Sequence, residues 1–261
     1  MHDDNTTSLR LAGGPDAITE GLAHKRTIRC VHCRKILKKK TMDHVFPSSW
    51  YPENTPENVQ RWTVPSCREC NQKFGEMEKE VFIRAALCVG PVKGEAEGLS
   101  RRALESLGVE AIGISVEEQR RRQALKEKIV KQIKSYVPGT EHFPGLGPHE
   151  GFPEDEQHEI RIPAEHMKEV AGKIVRGCEY VLAKRRIIED PYTVEIYFAD
   201  EKKIGDVIEL FDKFGPGPVH LGPGFQVRRA VAHDDPNAVL YKIDIWGTWA
   251  IYASILAERR Q

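Results

Sequence analysis

The sequence predicts an α+β protein with a four-cysteine zinc finger near the N-terminus, a helical middle and a C-terminal antiparallel sheet with helices. Three observations lead to this prediction. Two Cys-x-x-Cys pairs lie in the first third of the chain, and an amphipathic helical pattern follows the second pair. Beyond a stretch rich in Pro and Gly, short runs of alternating and β-branched residues are separated by turn sequences.

The bulk properties of the chain set limits on its class. A length of 261 residues is enough for one large domain or two modest ones. The chain has 39 Lys and Arg residues and 39 Asp and Glu residues, so its formal net charge is zero. There is therefore no overall positive charge of the kind that would indicate a nucleic-acid-binding protein. No apolar run approaches the length of a bilayer span, and no signal-peptide pattern opens the chain. We therefore expect a cytoplasmic protein with reduced thiols and no membrane partner.

The two cysteine pairs predict a structural zinc site. Two Cys-x-x-Cys turns together supply four thiolates for a tetrahedral cage, here from Cys30, Cys33, Cys67 and Cys70. Two disulfides or four unrelated thiols are the disfavoured alternatives, because the chain has no secretion signal and such paired spacing is rare by chance. His32 could replace one cysteine as a ligand. Since four sulfurs already close the site, we expect His32 at the tip of its turn.

The segment between the pairs contains residues suited to hydrolysis. Asp43 and His44 are adjacent, so an extended strand would point their side chains to opposite faces. A carboxylate suits a hard cation such as Mg²⁺, and a neutral imidazole suits the removal of a proton from water. Asn71, directly after the second pair, offers an amide oxygen as a second metal ligand. The alternative is that Asp43 is a capping residue and His44 is a packed histidine.

Residues 26–75 resemble the zinc-bearing HNH endonuclease family, which has the ββα-metal fold. The resemblance rests on both cysteine pairs and on three short motifs: Asp43-His44-Val45-Phe46-Pro47, Glu57-Asn58, and Cys67-Arg68-Glu69-Cys70-Asn71. Two departures are visible. Asn58 lies nine residues before Cys67, farther than is usual in the family, and the lysine expected after Asn71 is displaced to Lys73.

The resemblance implies an endonuclease mechanism. His44 would be the general base that activates water, and Asn58 would orient its imidazole. Asp43 and Asn71 would hold one catalytic Mg²⁺ or Mn²⁺, while zinc on the four cysteines would be structural. The implied substrate is DNA, with RNA not excluded, and the implied biology is phage defence or restriction.

The first cysteine pair lies within a run of basic residues, 25–40, that contains no acidic residue. A run of this kind beside a phosphate-cutting site predicts contact with a nucleic-acid backbone, although a solvated face is the usual meaning of a charge run. The candidate contacts are Lys25, Arg26, Arg29, Arg34, Lys35, Lys38, Lys39 and Lys40. Trp50, Tyr51 and Trp62 could stack on bases or pack around the finger.

The remaining pattern predicts five segments. These are a flexible arm (1–22), a nuclease domain (23–90), a helical segment (91–137), a linker (138–156) and an α+β domain (157–261). Helices are expected at 72–89, 99–107, 116–136, 163–184 and 204–214. In the first of these helices, the residues expected largely on the outer face are Glu76, Glu78, Lys79, Glu80 and Arg84. Strands are expected at 193–199, 225–231, 240–246 and 249–255, the last three as an antiparallel meander.

Two other functions remain open from the sequence. One is a non-catalytic zinc module that binds nucleic acid or protein. The other is a toxin or phage-defence effector in which the C-terminal domain senses a partner. A homodimer and a regulatory protein partner are both compatible with the sequence.

Overall fold

The computed structural model describes residues 27–39, 41–89, 94–109, 113–139, 142–148, 152–198 and 204–258. The predicted arm at 1–22 lies outside these residues, as do Lys25, Arg26 and Lys40 and parts of the predicted linker. Within the described ranges, no helix is both long enough and apolar enough to cross a bilayer.

The N-terminal part consists of two short strands followed by a long helix. Strand β1 (Thr41–His44) pairs antiparallel with β2 (Thr63–Ser66), and helix α1 (Arg68–Cys88) follows directly. The helix begins one turn earlier than predicted because Cys67 caps it, with its sulfur accepting a hydrogen bond from the backbone N–H of Cys70 at 3.4 Å.

The helical middle is shorter than the sequence predicts. Helices α2 (Leu99–Ser106) and α3 (Val116–Val130) form, and the Ser115 hydroxyl caps α3 by accepting from the Glu118 N–H at 3.1 Å. The helix predicted over 116–136 stops at Val130. Strand β3 (Ile133–Ser135) follows instead, because these residues pair antiparallel with β4 (His158–Ile160) beyond the predicted linker.

The C-terminal part is mixed α and β, and its sheet is antiparallel. The elements are α4 (Ala164–Leu182), β5 (Tyr192–Tyr197), α5 (Gly205–Phe214), β6 (Val219–His220), β7 (Phe225–Val231), β8 (Val239–Ile245) and β9 (Trp249–Ala257). The strand order in the sheet is β5-β9-β8-β7-β6. The predicted meander of three strands is therefore present as β7, β8 and β9, with bounds close to those predicted.

One hydrophobic core joins the parts on the two sides of the predicted linker. Trp50 and Tyr51, which follow β1, are almost fully buried and pack on Trp246 and Phe225, with ring centroids 5.5 and 4.8 Å apart. The indole N–H of Trp246 donates to the Trp50 carbonyl at 2.8 Å. Trp50 and Tyr51 are therefore too deeply buried to stack on bases, and they pack against the C-terminal sheet as well as within the N-terminal part. Trp62 is half-buried against the same core.

A buried carboxylate fixes α4 to the sheet. Glu179 is fully buried and accepts two hydrogen bonds from Arg229 on β7, at 2.9 and 3.0 Å, and one from the Tyr241 hydroxyl on β8 at 2.6 Å. Arg186 adds a further bond at 2.8 Å. Burial alone would raise the pKa of Glu179, but these donors hold it below its ordinary value of 4.5.

We expect Glu179→Gln to lower the free energy of unfolding by on the order of 3–5 kcal/mol, because Arg229 would lose its buried counter-charge. Because the native pKa is depressed, the stabilisation is present above the ordinary pKa of 4.5 and is lost as pH falls through the native value. When urea unfolding is measured between pH 7 and pH 3, the free energy of unfolding should fall less steeply with decreasing pH in the variant than in wild type. Glu165→Gln, exposed on the same helix, is the control and should stay within about 0.5 kcal/mol of wild type. An unchanged acid slope in Glu179→Gln would remove Glu179 from this role.

Candidate metal and hydrolytic site

The four predicted cysteines form one cluster. Their sulfur atoms all lie within 4.8 Å of one another, and those of Cys33 and Cys67 are 3.7 Å apart. A tetrahedral zinc site with Zn–S bonds of about 2.3 Å has sulfur–sulfur edges of about 3.8 Å. The cluster therefore has the dimensions of a metal site of the kind that zinc occupies.

Local backbone structure positions both cysteine pairs. The turn that carries Cys30 and Cys33 is closed by the bond from the Arg34 N–H to the Cys30 carbonyl at 2.9 Å, and Arg34 adopts a left-handed φ of 65°. Cys67 and Cys70 lie at the N-terminus of α1. Burial and the neighbouring cysteine side chains raise the pKa of Cys70. Burial would raise the pKa of Cys30, but surrounding backbone N–H groups lower it to about 7.

A cavity of about 350 Å³ lies between β1 and the first turns of α1. Asp43 and His44 on β1 and Asn71 and Glu78 on α1 all line it. Asn71 and Glu78 are about two helical turns apart, so they share one face of α1. Gly75 lies between them, and nothing is found within 4 Å of the position where a Cβ would be, which leaves this face open.

Asp43 is buried and held by two partners. The His32 imidazole Nε2 lies 3.1 Å from Asp43 Oδ2, and the Lys173 ammonium lies 3.2 Å from Oδ1. Burial would raise the pKa of Asp43, but the hydrogen bond from His32 and the charge of Lys173 hold it below its ordinary value of 3.8. Asp43 is therefore a carboxylate at neutral pH.

The sequence led us to expect His32 at the tip of its turn, and its side chain points into the protein rather than into solvent. Its side chain is 1% exposed, faces Asp43 and packs edge-on against Phe74, with ring centroids 5.0 Å apart. The side chain turns inward because Asp43 offers a buried acceptor and Phe74 an apolar surface.

Lys173 reaches this site from α4. Its side chain is fully buried, and its ammonium lies 2.7 Å from Glu78 Oε1 in addition to its contact with Asp43. It also donates to the carbonyl oxygens of His44 and Val45. The prediction that Glu78 and Arg84 lie largely on the outer face of α1 is wrong. The ion pair with Lys173 draws the Glu78 carboxylate inward, and the fully buried Arg84 guanidinium contacts Glu80 and Gln132. Burial raises the pKa of Glu78.

His44 is half-buried at the cavity, and its electrostatic surroundings favour the neutral imidazole. Burial lowers its pKa below the ordinary 6.5, and the positive charge of Lys173 lowers it further. A neutral imidazole at pH 7 can accept a proton from water.

Comparison with known proteins does not identify the chain. No protein-family model, curated protein or solved structure matches it.

The structure places the other predicted site residues as follows. Asn58 is exposed and does not line the cavity, so its orienting role stays a prediction without support from this geometry. Arg29 and Arg34 form ion pairs with Glu189 and Asp190, and Lys35 lies 3.6 Å from Glu69. Lys38 and Lys39 are exposed. Contact between this run and nucleic acid stays a prediction.

Glu78, Lys173 and Arg102 are site residues that sequence reasoning missed. Arg102 on α2 lines the cavity and donates to the carbonyls of Ser49 and Tyr51 at 2.9 and 2.6 Å. A signal for Lys173 was available, because a lone lysine lies within the apolar run Ala171-Gly172-Lys173-Ile174-Val175. Nothing in the local sequence indicates its partners.

Gly177, one turn after Lys173, allows α4 to approach β1 closely. A Cβ at this position would lie 2.8 and 2.9 Å from the two methyl groups of buried Val45. We expect Gly177→Ala to lower the free energy of unfolding by about 1–3 kcal/mol, because α4 must move away. Gly75→Ala, a helical glycine with open space, should instead raise it by about 0.4–1 kcal/mol. Equal effects of the two variants in chemical denaturation would contradict close packing at Gly177.

We expect Cys67→Ser to lose most of the bound zinc and to lower the thermal midpoint strongly, because a structural metal supplies folding energy. The zinc content per chain, measured by elemental analysis after purification without added metal, checks this. Cys88→Ala, which changes a half-buried cysteine outside the cluster, should keep the wild-type zinc content. Full zinc retention in Cys67→Ser would exclude Cys67 as a ligand.

Proposed function

We propose that the chain is a metal-dependent endonuclease of the HNH type that hydrolyses phosphodiester bonds in DNA. The observation that carries the proposal is the meeting of Asp43, His44 and Asn71 at one cavity, on a β1–β2–α1 unit beside the four-cysteine cluster. Asp43 and Asn71 lie apart in sequence, and the pairing of β1 with β2 directly before α1 brings both to this cavity.

The residues at the cavity fit a divalent ion. Asp43, Asn71 and Glu78 offer the oxygen ligands that Mg²⁺ and Mn²⁺ prefer. A carboxylate has about four lone-pair sites, so Asp43 keeps acceptor capacity beyond its contacts with His32 and Lys173. When bound, the ion would stabilise negative charge on the scissile phosphate and on the leaving oxygen.

His44 would act as the general base. Its depressed pKa keeps the ring neutral at pH 7, ready to accept a proton from the attacking water. The bond from Lys173 to the His44 carbonyl fixes the main chain that carries the imidazole. In this proposal Lys173 supplies part of the orientation that the resemblance assigns to Asn58.

Cations at the same cavity suit a phosphate substrate. Lys79 and Arg102 line it together with the carboxylates, and the two carbonyl bonds of Arg102 hold its guanidinium in place. The carboxylates would bind the metal ion, and the guanidinium of Arg102 would bind the phosphate anion. Together they suit a phosphodiester that binds along with a divalent ion.

A second candidate is a non-catalytic zinc module. It is favoured by one observation: both oxygens of Asp43 already have protein partners, which is also the arrangement of a purely structural carboxylate. In this case Asp43, His44 and Asn71 would be replaceable without loss of function.

We expect the zinc-loaded protein to nick or linearise plasmid DNA when Mg²⁺ or Mn²⁺ is added after dialysis that removes weakly bound ions. His44→Ala should lower the rate at least about a hundredfold, because positioned general bases contribute about that much or more. His220→Ala, exposed on β6, is the matched control and should cut like wild type.

The same assay separates the two candidates. Metal-dependent cutting that is lost in His44→Ala supports the nuclease and its base together. Cutting that persists in His44→Ala removes His44 from the mechanism. A zinc-loaded, folded wild-type protein that cuts neither DNA nor RNA would favour the binding module.

A further inference from the structure

The Lys173 ammonium lies in a cage of four oxygen atoms inside the candidate metal site. Two are carboxylate oxygens, Asp43 Oδ1 at 3.2 Å and Glu78 Oε1 at 2.7 Å. The other two are the carbonyl oxygens of His44 and Val45. Carboxylate and carbonyl oxygens are also the ligands that hard divalent cations take in proteins. The side chain is fully buried, so bulk water does not screen the charges strongly.

We propose that Lys173 is a tethered cation built into the metal site, which competes with the divalent ion for Asp43 and Glu78 and so sets the affinity of the site for that ion. The inference rests on the proposed function, because it takes Asp43 as a ligand of the ion. It goes further by assigning a residue of the C-terminal part, and Glu78 with it, to that site.

Charge balance supports this role. The two carboxylates carry at most two negative charges, and the ammonium offsets one of them before any ion arrives. A divalent ion on Asp43 would lie within a few ångströms of the ammonium, and like charges at such distances repel strongly in a buried site. Removing the ammonium would leave two close carboxylates with no cation between them, an arrangement that favours capture of a divalent ion.

The fold prevents Lys173 from withdrawing. Glu179 fixes α4 to the sheet, and Gly177 allows the helix to lie directly against Val45. The backbone that carries Lys173 is therefore held next to the site, within reach of its ammonium, when the ion binds. A bound phosphodiester adds negative charge to the cavity and offsets the repulsion, so ion and substrate should each strengthen the binding of the other.

The test measures Mn²⁺ binding to the zinc-loaded full chain without DNA, by titration calorimetry or by the electron paramagnetic resonance signal of free Mn²⁺. We expect Lys173→Met to lower the dissociation constant for Mn²⁺ at least tenfold. Mn²⁺ should also raise the thermal midpoint of this variant more than that of wild type, because an ion that binds only the folded chain stabilises it. Lys168→Met makes the same charge change at an exposed position of α4 and should bind Mn²⁺ like wild type.

A second pair of variants covers the case in which Lys173→Met does not fold. Glu78→Gln removes one of the two carboxylates, so the double variant Lys173→Met/Glu78→Gln buries less unpaired charge. The double variant should bind Mn²⁺ more tightly than Glu78→Gln alone. Equal affinities of folded Lys173→Met and wild type, or of the double variant and Glu78→Gln, would overturn the proposal.

The measurement also separates this inference from the nuclease. If the protein does not cut DNA but Lys173→Met binds Mn²⁺ more tightly than wild type, the tethered-cation role of Lys173 is supported and the nuclease activity is refuted. If the protein cuts DNA but Lys173→Met binds Mn²⁺ no more tightly than wild type, the nuclease activity is supported and the tethered-cation role is refuted.

Discussion

Lys173 brings an ammonium group into a place that bulk solvent does not reach, and four oxygen atoms around it make this burial tolerable. Three of the four belong to β1 or to the residue directly after it, and the fourth comes from α1. One side chain of α4 thus fixes the strand and the helix that line the cavity. Burying this charge without its oxygen partners would cost roughly several kcal/mol. Because separation of the elements would incur this cost, α4, β1 and α1 hold one another in position.

The packing around this contact makes the β1–β2–α1 unit dependent on the rest of the chain. Two strands of four residues and one helix cannot enclose Phe46, Trp50 and Tyr51 by themselves. The C-terminal sheet covers them through Phe225 and Trp246. The four cysteines cluster at one end of the β1–β2–α1 unit, and an apolar interface with the sheet covers the other.

The sequence allowed good prediction wherever the signal was local. Cys-x-x-Cys spacing placed four sulfurs in one cluster, and periodicity located α5 and β7 almost to the residue. It failed where a residue acts through distant partners. Periodicity assigned Glu78 to the solvent face of its helix, since the ammonium that draws it inward lies on α4. Arg29 and Arg34 belong to one basic run in the sequence, but Glu189 and Asp190, between α4 and β5, form ion pairs with them.

The shared core also has a consequence for synthesis on the ribosome. The cysteines, Asp43, His44 and Asn71 emerge early, whereas Lys173, Phe225 and Trp246 follow only when most of the chain has been made. In a nascent chain, all four cysteines are therefore present well before Phe225 and Trp246, the residues that cover Phe46, Trp50 and Tyr51. A truncated product would retain the motif yet expose an aromatic surface to chaperones and proteases. Only when β7 and the residues after β8 have been made are Phe225 and Trp246 present to cover Phe46, Trp50 and Tyr51.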